Sequence, residues 1–179
     1  MKTFGMPKFT DSQKQKILKS IIFLVDTREK ANSHITKDYF DKHKIPYKDD
    51  KKLPYGDYSF MIPKNEELGI MTDITFENEI AIERKGSLDE LAGNFTKGRD
   101  RIEKEFAMSK AKLYLVIEGK YHDICTQNYR SKYDKRSFMA TLHTFYERYN
   151  VPFVFVEKED IGKFIYCTMY YYLRELLEG

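Results

Sequence analysis

No tryptophan occurs in the 179 residues, cysteine occurs twice, and no apolar run approaches the length of a membrane span. Each shortage excludes something. Two isolated cysteines, Cys125 and Cys167, do not make a disulfide framework. They read as free thiols of a reducing, intracellular compartment, with Cys167 buried as a small hydrophobe. That compartment is the cytoplasm or nucleoid of a prokaryote or virus, or the nucleus of a eukaryote. Residues 1–20 are polar and lysine-bearing, with no apolar core of the kind a signal peptide needs, and no membrane contact is expected. The four histidines are scattered, and His122-Asp123-Ile124-Cys125 lacks the second half of a zinc site. No Gly-rich loop ending in Gly-Lys-Ser/Thr is present, so an ATP-driven motor of that type is excluded. Repeats and low-complexity segments are also missing.

An excess of one charge is lacking too. Lys and Arg number 31 against 28 Asp and Glu, a net charge of +3, which permits an acidic partner without demanding one. Any nucleic-acid site must therefore come from local clustering. The length suits one domain, or one domain with a tail, and is enough to bury a real core.

What is present centres on Glu83-Arg84-Lys85, at the end of the apolar run Ile80-Ala81-Ile82. Strand side chains alternate faces, so Glu83 and Lys85 point to one side and Arg84 to the other. A carboxylate and an ammonium delivered together at a strand end suit metal-dependent phosphodiester hydrolysis. The plain alternative is a charged strand end with an incidental salt bridge. Upstream, Leu53-Pro54-Tyr55-Gly56-Asp57-Tyr58 places a second acid after a Pro/Gly turn, at the head of a strand over 58–62. Acid at a strand start, then Glu-x-Lys on the next hairpin, is the layout of a PD-(D/E)XK nuclease core. Asp26 ends the apolar run 21–25, either as a metal-shell acid or as a turn residue. Arg28 and Glu29 follow it and are able to pair with each other or with neighbours.

Gly56-Asp57, a spacer, then Glu83-Arg84-Lys85-x-x-x-Asp89 resembles the signature of the XPF family of structure-specific endonucleases. Val25-Asp26-Thr27-Arg28-Glu29 resembles that family's other acidic motif. The resemblance runs from about residue 21 to the end. It implies an α/β fold with a restriction-endonuclease-like core, a central mixed β-sheet flanked by α-helices. It implies a divalent-metal-dependent DNA endonuclease, cutting branched, flap or junction DNA in repair or recombination. Asp57 and Glu83 would bind Mg2+ or Mn2+, with Asp26 completing the shell. Lys85 would orient or deprotonate the water, and Arg84 would hold phosphate or brace the acids. Asp89 belongs to the implied catalytic set, while Arg28, Glu29, Arg99 and Glu118 would support the site or bind phosphate.

Local chemistry leaves alternatives beside some of these. Ser87-Leu88-Asp89-Glu90 is also a capping box, and an acid in the first helical turn is favoured by the dipole without any catalytic duty. Lys97, Arg99, Arg101 and Lys104 cluster before and within a helix over about 100–110, equally readable as a solvent face laced with i,i+4 pairs. Residues 1–20 read as a basic extension that either lies along a duplex or is simply solvated, with a short helix after Asp11-Ser12. Residues 21–179 read as the nuclease domain.

The remaining pattern supplies a helix capped by Ser33 and running to about 43, a polar edge strand over 47–53 and a strand over 70–76. A strand over 112–118 and a loop over 120–134 follow. Next come a helix over 135–149, a strand over 151–156 and an aromatic-rich helix over about 160–177. Related nuclease domains pair through their C-terminal helices, which implies a homodimer or heterodimer. Many relatives also carry a helicase before this domain or a helix-hairpin-helix module after it, and the 179 residues leave room for neither. A catalytically inactive DNA-binding or scaffold subunit predicts decay of the Asp, Glu and Lys set, which is intact here. A nuclease without branch preference shares the chemistry, and RNA as a substrate stays open.

Overall fold

The computed structural model describes residues 8–179. Its centre is a mixed seven-stranded sheet. The strands are β1 (Ile22–Asp26), β2 (Tyr47–Lys51), β3 (Tyr58–Ile62), β4 (Ile74–Thr75), β5 (Ile80–Lys85), β6 (Lys112–Glu118) and β7 (Phe153–Val156). They lie in the order β2-β1-β3-β5-β6-β7, with β4 added to β3. β1 runs parallel to β2 and antiparallel to β3, β3 is antiparallel to β5, and β5, β6 and β7 are parallel.

Helices cover both faces of β5, while β3 has helices on one face and Leu53 of the loop before Gly56 on the other, so both strands are buried at every position. On one face lie α1 (Asp11–Lys19), α2 (Ser33–Ile35, continued by a π-helical turn Thr36–Asp41) and α7 (Ile161–Glu178). On the other lie α3 (Leu88–Phe95), α4 (Arg99–Met108), α5 (Tyr121–Thr126) and α6 (Lys135–Tyr149). The period of two divides β5 between them. Ile80 and Ile82 join the first core with Val116, while Ala81 joins the second with Leu113, Leu115 and Ile117. The α/β class and the mixed sheet flanked by helices match the sequence-based expectation.

Several local expectations need correction. The helix after β1 has Asn32, not Ser33, at its N-cap position, with no side-chain cap bond, and widens into a π turn, so that Ile35 and Phe40 both face inward. Gly162 on α7 allows that turn to come close; a Cβ there would sit 2.6 Å from Tyr39 Cβ. The loop expected over 120–134 contains α5, a six-residue helix with one buried residue, Ile124, too short to show a period. The strand expected over 70–76 shrinks to β4, with a 3-10 turn at Glu66–Leu68 before it. Cys167, expected to be buried, is half-buried. Much of the basic extension is α1, which buries Ile17 and Leu18 in the main core and ties Lys14 to Glu178 of α7. Lys8, Lys16 and Lys19 stay exposed, and Lys2 lies outside the described residues.

At one edge of the sheet the ends of β1, β3 and β5 are laced together. The Asp26 N–H donates to Asp57 O at 2.8 Å, and the Asp57 N–H to Ile82 O at 2.7 Å. Gly56 makes this approach possible. Its φ is +60°, and a Cβ would stand 2.7 Å from Ile82 O and 3.2 Å from Ala81 Cβ. Because Ile82 O is fixed in the sheet, Gly56→Ala is expected to cost about 2–3 kcal/mol through strain and overpacking. The thermal midpoint, read by circular dichroism, should fall by roughly 5–10 °C.

Candidate active site

The laced edge opens into a cleft of about 920 Å³. Asp57, Glu83, Arg84 and Lys85 line it from the sheet, and Glu90, Arg101 and Glu105 from α3 and α4. Arg28 and Glu29 enter from the segment after β1, and Lys52 from the loop before Gly56. Strand alternation sorts the central residues. Glu83 and Lys85 share one face, and Lys85 Nζ lies 2.5 Å from Glu83 Oε1 and 3.7 Å from Glu90 Oε1. Arg84 lies on the opposite face. There its Nε donates to Glu118 Oε1 at 2.7 Å, its Nη1 to Glu29, and its Nη2 to Ala31 O at 3.4 Å.

Glu83, Arg84 and Lys85 are each 6–7% exposed, an unusual burial for three consecutive charges. Each has a partner, as buried charge requires. Asp57 Oδ2 accepts from the Arg84 backbone N–H at 2.8 Å. Its carboxyl is largely withdrawn from water, and that burial, then repulsion from Glu83 and Glu29, holds its pKa well above the ordinary 3.8. Burial would lower the Lys85 ammonium, but the nearby carboxylates, Glu83 first, outweigh it and raise its pKa. Glu105 is raised by burial and then by Glu83 across the cleft.

This donor set suits a hard cation. Two carboxylates that repel each other in a cleft are relieved by a divalent ion, and Mg2+ binds through one or two carboxylates while keeping several waters. Among the described residues, no cluster of three or more His, Cys, Asp or Glu side chains forms a ready-made site. Asp57 and Glu83 are two of the carboxylates that line the cleft.

The family model of the ERCC4 domain matches residues 25–168. The chain belongs to the ERCC4 domain family. XPF from Aeropyrum pernix superposes with a TM-score of 0.61 at 18% identity, over 88% of this chain and 67% of that one. The same protein in complex with DNA gives 0.61 and 18%, over 86% and 66%. The chain spans about two thirds of those solved chains, and at this identity the likeness shows the shared fold. No curated protein sequence matches. The resemblance to XPF-type nucleases drawn from the motifs is borne out.

Within this ERCC4 domain, not every residue singled out from the motifs reaches the cleft. Asp26, 1% exposed, has both oxygens engaged: Oδ1 accepts from the Arg28 N–H and Nε, Oδ2 from Arg28 Nη2 and the Leu53 N–H. Burial opposes its ionisation, but the bonds from Arg28 and Leu53 outweigh it and lower its pKa. Asp26 therefore braces Arg28 and the loop that leads to Gly56-Asp57, and it is absent from the cleft lining. Asp89 turns away, its Oδ1 accepting from the Ser131 N–H at 2.6 Å and its Oδ2 from Arg130 Nε at 3.2 Å. The capping box is partial: Ser87 caps Glu90, but Glu90 reaches back to the Gly86 N–H, one residue early. Arg99 pairs with Glu103 at 2.9 Å and lies 5.5 Å from the Phe145 ring centre, on the α6 side of its helix. Glu118 supports Arg84 from behind.

Arg101, which the sequence places only within the cation cluster, and Glu105 are cleft residues. A signal existed: the spacing that turns Ile102 and Phe106 into the core puts the residues just before them, Arg101 and Glu105, on the adjoining helix face. His34, 2.6 Å from Glu118 Oε1, had no motif to mark it.

Proposed function

We propose that this domain is a divalent-metal-dependent endonuclease acting on DNA, with preference for branched, flap or junction duplexes. The observation that carries the reading is the convergence of Asp57, Glu83 and Lys85 on one cleft at the sheet edge of an ERCC4 domain. That a solved structure of the same fold holds DNA supports the substrate class. Mg2+ or Mn2+ held by Asp57 and Glu83 would supply an acidified water and neutralise charge growing on the phosphoryl oxygens.

The residues do the rest. Lys85, already against Glu83, steadies the attacking water from the side of the cleft that Glu105 faces. Arg28, Lys52 and Arg101 offer cations to the backbone phosphates on either side of the scissile bond. Arg84, committed to Glu29 and Glu118, acts by holding Asp57 through its backbone N–H. The water oxygen bonds to phosphorus as the bond to the 3′ oxygen breaks, leaving a 5′-phosphate and a 3′-hydroxyl. Pairing of two such domains through α7 belongs to this reading. Tyr171 is 48% exposed there, beside an apolar groove shared with Tyr114, Cys167 and Tyr172. No described helix is long and apolar enough to cross a membrane.

The test is cleavage of labelled flap, fork, four-way-junction and linear duplex DNA with Mg2+ or Mn2+, for the wild type and Lys85→Ala. Incision near branch points, lost in Lys85→Ala and on chelation, is the expected result. Equal cutting of linear duplex would remove branch preference and keep the chemistry. Binding without cutting in either metal would leave a DNA-binding subunit and sink the enzyme.

A further inference from the structure

On the strand face opposite Glu83 and Lys85, the contacts that hold Arg84 extend past Glu118 to His34, which no step derived so far uses. The segment from Glu29 to Ile35 wraps around the Arg84 guanidinium. It is fastened on both sides of Ala31, which holds a left-handed φ of 53°. On one side Glu29 takes Arg84 Nη1; on the other His34 Nε2 meets Glu118 Oε1 at 2.6 Å. That same oxygen accepts from Arg84 Nε at 2.7 Å. The His34 and Glu118 side chains are 14% and 7% exposed.

A ring placed only to fill space would be better served by an apolar residue, since burying an imidazole nitrogen needs a partner. Here the partner is the carboxylate that orients Arg84. From His34 the chain of contacts runs to Glu118 at 2.6 Å, to Arg84 at 2.7 Å, and from the Arg84 backbone N–H to Asp57 Oδ2 at 2.8 Å. Without His34, Arg84 is the only side chain still bonded to Glu118, and α2 loses its one polar tie to β6 among the described bonds.

We propose that His34 is a positioning residue of the cleft: by donating from Nε2 to Glu118 it fixes Arg84, and through Arg84 the orientation of Asp57. The role rests on the proposed nuclease reading for its effect on cleavage, but not for its effect on cation binding. Direct partners of a metal ligand are worth about 10- to 100-fold in affinity or activity when removed. His34 acts from further out, through Glu118 and Arg84, so the lower end of about tenfold applies.

The experiment compares wild type with His34→Ala, His34→Leu and His34→Gln in three readouts: kcat and KM on DNA, Mn2+ affinity by calorimetry, and thermal midpoint. Glutamine matters because its amide nitrogen reaches the place of Nε2 and donates a hydrogen bond without a ring. His34→Ala and His34→Leu should lower kcat about tenfold and weaken Mn2+ binding by a similar factor. KM should change little, and His34→Gln should recover most of both losses. Wild-type kcat and Mn2+ affinity in His34→Leu would overturn the proposal. So would losses that follow the thermal midpoint in all three variants, glutamine included. A wild type that binds Mn2+ through Asp57 yet cuts no DNA would defeat the nuclease reading alone, leaving His34 to be judged on the calorimetry. A wild type with no Asp57-dependent Mn2+ binding would overturn both.

Discussion

Asp57→Asn is expected to reduce cleavage by roughly 10³-fold or more, as loss of a central catalytic group does, while making the protein more stable. The two effects share one cause. Asp57 is a carboxylate withdrawn from water and facing Glu83 and Glu29, so its ionised form is uncomfortable in the folded state. A neutral amide removes the repulsion and still accepts from the Arg84 N–H. A gain of about 1 kcal/mol would raise the thermal midpoint by roughly 2–4 °C.

The sign against pH follows. The folded pKa of Asp57 lies above the ordinary 3.8, so the folded protein holds its proton where the unfolded chain has lost it. Stability from this group is full below 3.8 and is lost as pH rises through the folded pKa. Asp57→Asn should flatten that part of the profile. Glu83→Gln is the contrasting control, because it strips Lys85 of its 2.5 Å partner in a buried setting. It should therefore lose activity and stability together. Melting curves at several pH values, run beside cleavage assays, separate the pair; a destabilised Asp57→Asn would refute the repulsion argument.

The relation between sequence and site is clearest in β5. Alternation alone separates Glu83 and Lys85 from Arg84, and the structure keeps that division, one pair facing α4 and the guanidinium facing α2. Such a pattern is legible because it depends on three consecutive residues and nothing else. Asp57 was legible for a similar reason, since the Gly56 turn before it needs a backbone few residues adopt. Asp26, Asp89 and Arg99 show where local reading stops. An acid at a strand end looks alike whether it faces a cleft or accepts from Arg28 and Leu53, and the choice is made by a loop 27 residues away. Asp89 is likewise held by Ser131, 42 residues on. The rotation of α4 is fixed by Ile102 and Phe106 against the second core, which turns Arg101 into the cleft and Arg99 toward Phe145. The π turn after Ile35 depends on its close approach to Gly162, which no local pattern signals.

Arg84→Ala is expected to be the most damaging single change to stability. Arg84 is 7% exposed and supplies the counter-charge for Glu29 and Glu118, whose side chains are 11% and 7% exposed. Removing it leaves the Glu29 carboxylate and the Ala31 carbonyl without Arg84 and the buried Glu118 with His34 alone, at a cost of about 3–5 kcal/mol. The thermal midpoint should fall by roughly 10–15 °C. Arg84→Lys should recover little, because a single ammonium cannot reproduce a fork that reaches two carboxylates and a carbonyl. Acidification supplies an internal check. With no cation beside it, Glu29, whose pKa burial already raises, would take up a proton in the folded state at a higher pH than in the unfolded chain. The deficit relative to wild type should therefore shrink as pH falls through the raised pKa of Glu29. Adding Glu29→Gln and Glu118→Gln to Arg84→Ala should recover part of the midpoint at neutral pH, since the carboxylates are then uncharged. If the triple variant melts no higher than Arg84→Ala, the damage comes from lost packing around the guanidinium stem and not from unpaired charge.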